Sequence, residues 1–265
     1  MGRAVGQSKQ DDDFLDAVRA GDCEAAQKHL SLGAKINTHG ADEKTALLIA
    51  AEKGDSRIVT MLLQNKAARD WQDADGNTAL LLSLRNGRTD ASLMLLSENF
   101  NTAATSNKGE NVMTLAAKGN LCIVFAKLAA TGLDVDLRDK QQHTPLMHAI
   151  HADMAGASVP MILSMKADIN ARDEDGRTPL MHAVLAGKGD IVKTLLLAGA
   201  KSNLTDKRGM SALDHAASWH KDALVTELKN AFLKYDVPQF SSGTKQPVKP
   251  LHVARFRPES ARPLV

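Results

Sequence analysis

The chain has 265 residues, a formal net charge of +2 and only 3% aromatic residues. The small net charge gives no overall nucleic-acid or membrane signature, and the scarcity of aromatics leaves Leu, Ala, Ile, Val and Met to fill the interior. The two cysteines, Cys23 and Cys122, form no motif; this argues against a disulfide scaffold, fits a reduced cytosolic compartment and reads both as buried structural thiols.

Residues 1–10 carry no apolar run and read as a short flexible N-terminus, neither a secretory signal nor a membrane span. The start MGRAVG fails the myristoylation pattern because Gly6 stands where Ser or Thr is required. Asp11, Asp12 and Asp13 then meet the first helix at its positive end, where carboxylates are favourable, so this charge run reads as a capping device.

From there one position recurs as Asp12, Thr45, Thr78, Asn111, Thr144, Thr178 and Ser211, in steps of 33 or 34 residues, and every occupant is a helix-capping type. A second register agrees. Gly33, Lys66, Asn99, Gly132, Lys166 and Gly199 fall at a helix-ending position, and four of the six are types that tolerate positive φ. The clearest copy runs from Asn170 to Ala200. Thr178 caps a helix that Pro179 opens, Leu180, Ala183 and Val184 give it an apolar face, and Gly187 stops it. Ile191, Val192, Leu195 and Leu196 follow at helical spacing, so each unit is two antiparallel helices and a turn.

In unit one, His29 replaces the Leu or Ile of later units, as suits a terminal unit with a polar outer side. The turn of unit two has Gly40 and Glu43 where Asp and Gly are usual, which predicts a less regular finger. In unit three, Trp71 stands where a small residue is usual; it reads either as a partner anchor or as packing across the neighbouring turn. Unit four is the most divergent, with Gly119 read as one place later than its counterparts. Unit five carries one inserted residue, assigned to a loop from Asp153 to Ala157, with Ser158 capping a shortened helix and Pro160 in its first turn. Unit seven ends near Tyr235 as a C-terminal cap. Residues 236–265 hold five of the eight prolines and read as a mildly basic, disordered tail.

A period of 33 with Thr-Pro-Leu, two helices and a turn resembles the ankyrin repeat from about residue 11 to residue 235. The resemblance implies an all-α ankyrin-repeat solenoid with projecting β-turn fingers and a non-enzymatic function in protein binding. The histidine usual after Thr-Pro-Leu is displaced: His148, His182 and His215 sit one place later and read as packing or hydrogen bonding within the stack. Equivalent positions in stacked helical pairs stand ~10 Å apart, too far to share an ion, so no metal site is expected. No phosphate loop, His/Cys ligand set or nucleophile motif appears, and neither an enzymatic activity nor a cofactor is expected.

In the ankyrin family the fingers and the adjacent ends of the first helices meet the partner. That places the expected partner-binding surface at Trp71, Gln72, Asp75, Asn77, Arg85, Lys108, Arg138, Lys140, His143, His151, Arg172, Glu174, Arg177, Lys207, Arg208 and Trp219, none of which the repeat itself requires. The basic members gather toward the C-terminal half and would suit an acidic protein surface. The chain is expected to be a cytoplasmic monomer that acts as an adaptor. Two alternatives are an effector delivered by an intracellular bacterium into a host cell by a non-Sec route, and binding of a nucleic-acid backbone by the basic fingers.

Overall fold

The computed structural model describes residues 8–152, 157–218, 226 and 230. Among these are thirteen helices: α1 (Lys9–Ala20), α2 (Cys23–Ser31), α3 (Ala46–Lys53), α4 (Ser56–Gln64), α5 (Ala79–Arg85), α6 (Thr89–Ser97), α7 (Val112–Lys118), α8 (Cys122–Ala130), α9 (Pro145–Ala152), α10 (Ser158–Ser164), α11 (Pro179–Leu185), α12 (Gly189–Leu197) and α13 (Ala212–Ser218). The odd-numbered helices stack in chain order as one layer, and α2, α4, α6 and α8 stack likewise behind it. Two isolated β-bridges, His39 with Thr45 and Thr205 with Ser211, close fingers between the helix pairs.

Each helix is too short to hold alone in water and is kept by the face it buries. Leu62, Leu95, Leu128, Ile162 and Leu195 occupy one position of successive second helices, and all are fully buried. Burying each such side chain stabilises the stack by about 1.5–3 kcal/mol. The core is one continuous cluster from Phe14 to Ala216.

Both sequence registers are seen. Gly33, Lys66, Asn99, Gly132, Lys166 and Gly199 all have φ between 56° and 96°, so the two lysines also take the left-handed conformation. Side-chain caps are made by Thr78, Asn111, Thr144, Thr178 and Ser211, each to the backbone nitrogen three residues on, whereas the buried Thr45 hydroxyl finds no partner among the described residues.

Several expectations are corrected. The first helix starts at Lys9 and is capped by Ser8, so residues 8–10 belong to the fold and Asp12 lies inside the helix. Asp11 is buried and accepts hydrogen bonds from the Ser8 and Lys35 backbone nitrogens, 3.0 and 2.7 Å. The backbone of the unit-two finger is as regular as the others, because Glu43 takes φ 58° where later fingers have Gly76, Gly109, Gln142, Gly176 and Gly209, all at positive φ. In unit four, Gly119 falls one place early: it has φ −82°, and Asn120, at 54°, takes the left-handed role. Ser158 is the first residue of α10 rather than its cap. Cys23 and Cys122 are free and only half-buried, each opening a second helix. The insertion from 153 to 156 and the tail from 236 lie outside the described residues, as does Trp219.

Candidate functional site

Four of the fingers are built on one acidic position. Asp73, Asp173 and Asp206 are buried, and in each the Oδ1 accepts from the backbone nitrogens two and four residues on, at 2.7–3.0 Å. Asp139 makes the second of these bonds, to His143 N at 2.8 Å. These charge-assisted bonds bend the chain back on itself and satisfy donors that would otherwise be stranded beneath the turn.

The other carboxylate oxygen locks the finger to the helix beside it. His148 Nε2 meets Asp139 Oδ2 at 2.7 Å, His182 meets Asp173 at 2.8 Å and His215 meets Asp206 at 2.9 Å. The displaced histidines therefore bond within their own units. An Asp nine residues ahead of a His, recurring at the repeat period, was the sequence signal for this lock. Burial opposes ionisation of Asp206, but bonds from Met210 N, His215 and Arg208 N overcome it and hold the carboxyl below its ordinary range. Burial pushes the His182 imidazole down to about 4, outweighing the attraction of Asp173, and His151 and His143 add to the depression. His148 and His151 are lowered too, chiefly by burial.

Neighbouring fingers are joined through backbone and basic side chains. Asn107 N donates to Asp75 O, Glu174 N to Gln141 O and Lys207 N to Asp175 O, at 2.9, 3.1 and 2.9 Å. Arg138 Nη1 reaches Arg172 O at 2.5 Å, Arg172 Nη1 reaches Thr205 O at 2.8 Å and Lys140 Nζ reaches Asn107 O at 2.5 Å. These three cations thus have a structural role in the finger ridge, which corrects the expectation that nothing in the repeat uses them. Arg85 pairs with Glu110, whose other oxygen is 3.6 Å from Lys118. Burial opposes ionisation of Glu110, and the two cations overcome it, holding the carboxyl below its ordinary range.

Of the expected partner-binding residues, Gln72, Asp75, Lys108, Lys140, His151, Arg172, Glu174, Lys207 and Arg208 are exposed on the fingers and helix ends, and Arg85, Arg138, His143 and Arg177 are partly exposed. Arg177 pairs with Asp175 at 3.1 Å. Asn77 is withdrawn from the accessible surface: it is 1% exposed because its amide donates to both oxygens of Asp73. Trp71 packs across the neighbouring turn, its Nε1 donating to Glu43 O at 2.9 Å and its ring lying 5.3 Å from His39.

The ~10 Å spacing expected of His148, His182 and His215 concerns equivalent positions, and histidines at other positions of the repeat converge. His143, from a finger, stands 5.4 Å ring to ring from both His148 and His182, and His151 stands 5.4 Å from His182. The sequence pattern did not reveal this knot.

Stacked helix pairs with hydrogen-bonded fingers define an all-α repeat solenoid. The family model for ankyrin repeats (3 copies) matches residues 14–106 and 152–239, more than half of the chain, and the chain belongs to the ankyrin repeat family. Such repeats are generally protein–protein interaction modules. The human ASB11 ankyrin repeat domain is similar in structure, with TM-score 0.73 and 21% identity over 82% of this chain and 96% of that one. The ankyrin repeat domain of Bcl-3, a member of the IkappaB protein family, has TM-score 0.70 and 22% identity over 86% and 100%. A chain of the complex between the predatory endopeptidase Bd0816 of Bdellovibrio bacteriovorus and the immunity protein Bd3460 has TM-score 0.64 and 27% identity over 73% and 99%. No curated protein sequence matches the chain. Among the described residues no helix is long and apolar enough to cross a membrane.

Proposed function

We propose that this chain is a non-enzymatic adaptor that binds a protein partner with an acidic surface through its finger ridge. The observation that carries this reading is a row of exposed finger side chains, Gln72, Lys108, Lys207 and Arg208, that make no hydrogen bond or ion pair among the described residues. Arg138, Lys140 and Arg172 add positive charge to the same ridge while holding it in shape. A ridge pre-ordered in this way binds without the entropic cost of ordering its fingers. The likeness to a chain of the endopeptidase–immunity protein complex supports a folded protein as the class of partner.

The test is capture by the full-length chain, with mass spectrometry, beside the triple variant Lys108→Glu, Lys207→Glu and Arg208→Glu. Because these side chains support nothing else, both forms should give the same circular dichroism. A protein with an acidic surface that is retained by the native chain and lost by the variant supports the reading. Identical captures from both would sink it. Retention of nucleic acid, with binding that falls steeply as salt rises, would replace protein by a phosphate backbone as the partner.

A further inference from the structure

The Asp–His lock recurs in three units, but only one place has a further histidine. Asp206 and His215 in unit seven make the lock with Met210 at the finger's end, and unit six has Arg177 there. Unit five has His143 instead. Its ring makes no hydrogen bond among the described residues, yet it is wedged between two carboxylates: Nδ1 is 3.8 Å from Asp139 Oδ2, and Nε2 is 3.6 Å from Asp173 Oδ2. The lock does not require this residue, and its surroundings are those of a ligand.

We propose that His143, Asp173 and His182 form a site for a zinc-type divalent cation, which clamps unit five to unit six. Their donor atoms all lie within 4.8 Å of one another. In a tetrahedral site with bonds of about 2.0–2.1 Å, neighbouring donors are ~3.3 Å apart. The two distances to Asp173 Oδ2, 2.8 Å from His182 Nε2 and 3.6 Å from His143 Nε2, bracket that value, and the two histidine donors, within 4.8 Å of each other, close on the ion by side-chain adjustment. Imidazole nitrogen with carboxylate oxygen is the ligand chemistry that such a cation takes.

The surrounding groups fit as well. A ligating histidine usually turns its other nitrogen to a partner that fixes the ring. His182 does so, its Nδ1 lying 3.1 Å from His151 Nε2, and His143 Nδ1 faces the Asp139 carboxylate at 3.8 Å. On binding, the cation displaces the His182 Nε2 proton to solvent, the hydrogen-bonded His151 Nε2 proton passes to His182 Nδ1, and His151 takes up a proton from solvent at Nδ1, so that His182 Nδ1 donates to His151 Nε2 with no net change in protons. Three protein donors leave the fourth position to water, on the side where His143 is 30% exposed.

The experiment is titration of the metal-free full-length chain with Co²⁺, read by the visible absorption of the tetrahedral ion, followed by displacement with Zn²⁺. One saturable equivalent is expected. Zn²⁺ at a hundredfold excess over its Kd should raise Tm by roughly 5–10 °C. His143→Asn, which puts at this position the residue that unit three has as Asn77, should keep the metal-free fold and weaken binding by about 100-fold or more. His151→Ala, at an exposed ring, should weaken it by about 10- to 100-fold. No tetrahedral Co²⁺ signal in the native chain, or affinity unchanged in both variants, would overturn the site.

Discussion

Units four and six have the same backbone and reach it with different side chains. In unit six, Asp173 accepts from Asp175 N, Arg177 N and His182, so one buried carboxylate holds the finger and ties it to α11. In unit four the same place is Ser106, whose hydroxyl receives only Glu110 N at 3.3 Å from the finger backbone, and Leu115 stands where His182 does. Nevertheless, both fingers close with the same backbone bonds, Gly109 N to Ser106 O and Gly176 N to Asp173 O, at 2.7 and 3.0 Å. Both first helices are capped, by Asn111 and by Thr178. The left-handed residue after the first helix is Asn120 in one and Gly187 in the other. The repeat therefore conserves hydrogen-bonding roles and backbone conformation, and the Asp–His lock is an addition to it.

The largest test of that distinction is Asp173→Ala against Ser106→Ala. Removing Asp173 strands two backbone donors and the His182 ring, at a cost of about 3 kcal/mol, whereas removing the Ser106 hydroxyl costs about 1 kcal/mol or less. Urea denaturation of each variant measures both, and equal losses would show that the lock adds nothing.

A smaller, graded effect is expected with pH. Burial holds the His182 imidazole near 4, against the ordinary 6.5, despite Asp173 beside it, and His143 and His151 oppose its protonation further. Between those values the unfolded chain binds the proton that the folded chain refuses, so stability is complete above about 6.5 and falls as pH drops toward 4. His148 and His151 shift in the same direction. His182→Gln should flatten the dependence of Tm on pH across this window without abolishing it. A profile as steep as that of the native chain would show that the acid sensitivity arises elsewhere. Unit four has Leu115 at this position and contributes no such slope.

The smallest contrast is at the left-handed turns. Gly187→Ala forces an L side chain to φ 71° and should cost about 1 kcal/mol. Asn120→Gly relieves the same conformation at φ 54° and should gain roughly 0.5 kcal/mol, since Asn tolerates it partly. A loss from both substitutions, read by thermal denaturation, would mean that the Asn120 side chain has a role beyond its backbone.

The helix pairs were legible in the sequence because capping, helical apolar spacing and the need for positive φ are properties of short stretches of chain. Even Lys66 and Lys166, which are poor candidates for left-handed residues by type, were marked correctly by the repeat period. The candidate binding surface was legible only in outline. Sequence placed Gln72, Lys108, Lys207 and Arg208 on the fingers, but it also placed Asn77 there, and it could not show that Arg138 and Arg172 would spend their guanidinium groups on the next finger's carbonyls. Those outcomes depend on what each side chain meets across the stack.

By itself, then, the sequence determined an ankyrin solenoid and the positions of its turns, both set by local periodicity. Only the tertiary structure decided which polar side chains are used up in holding the fingers and which remain free. It alone brought His143 to His182, 39 residues apart in the chain, within 5.4 Å, because stacking one unit on the next juxtaposes positions that are not equivalent in the repeat.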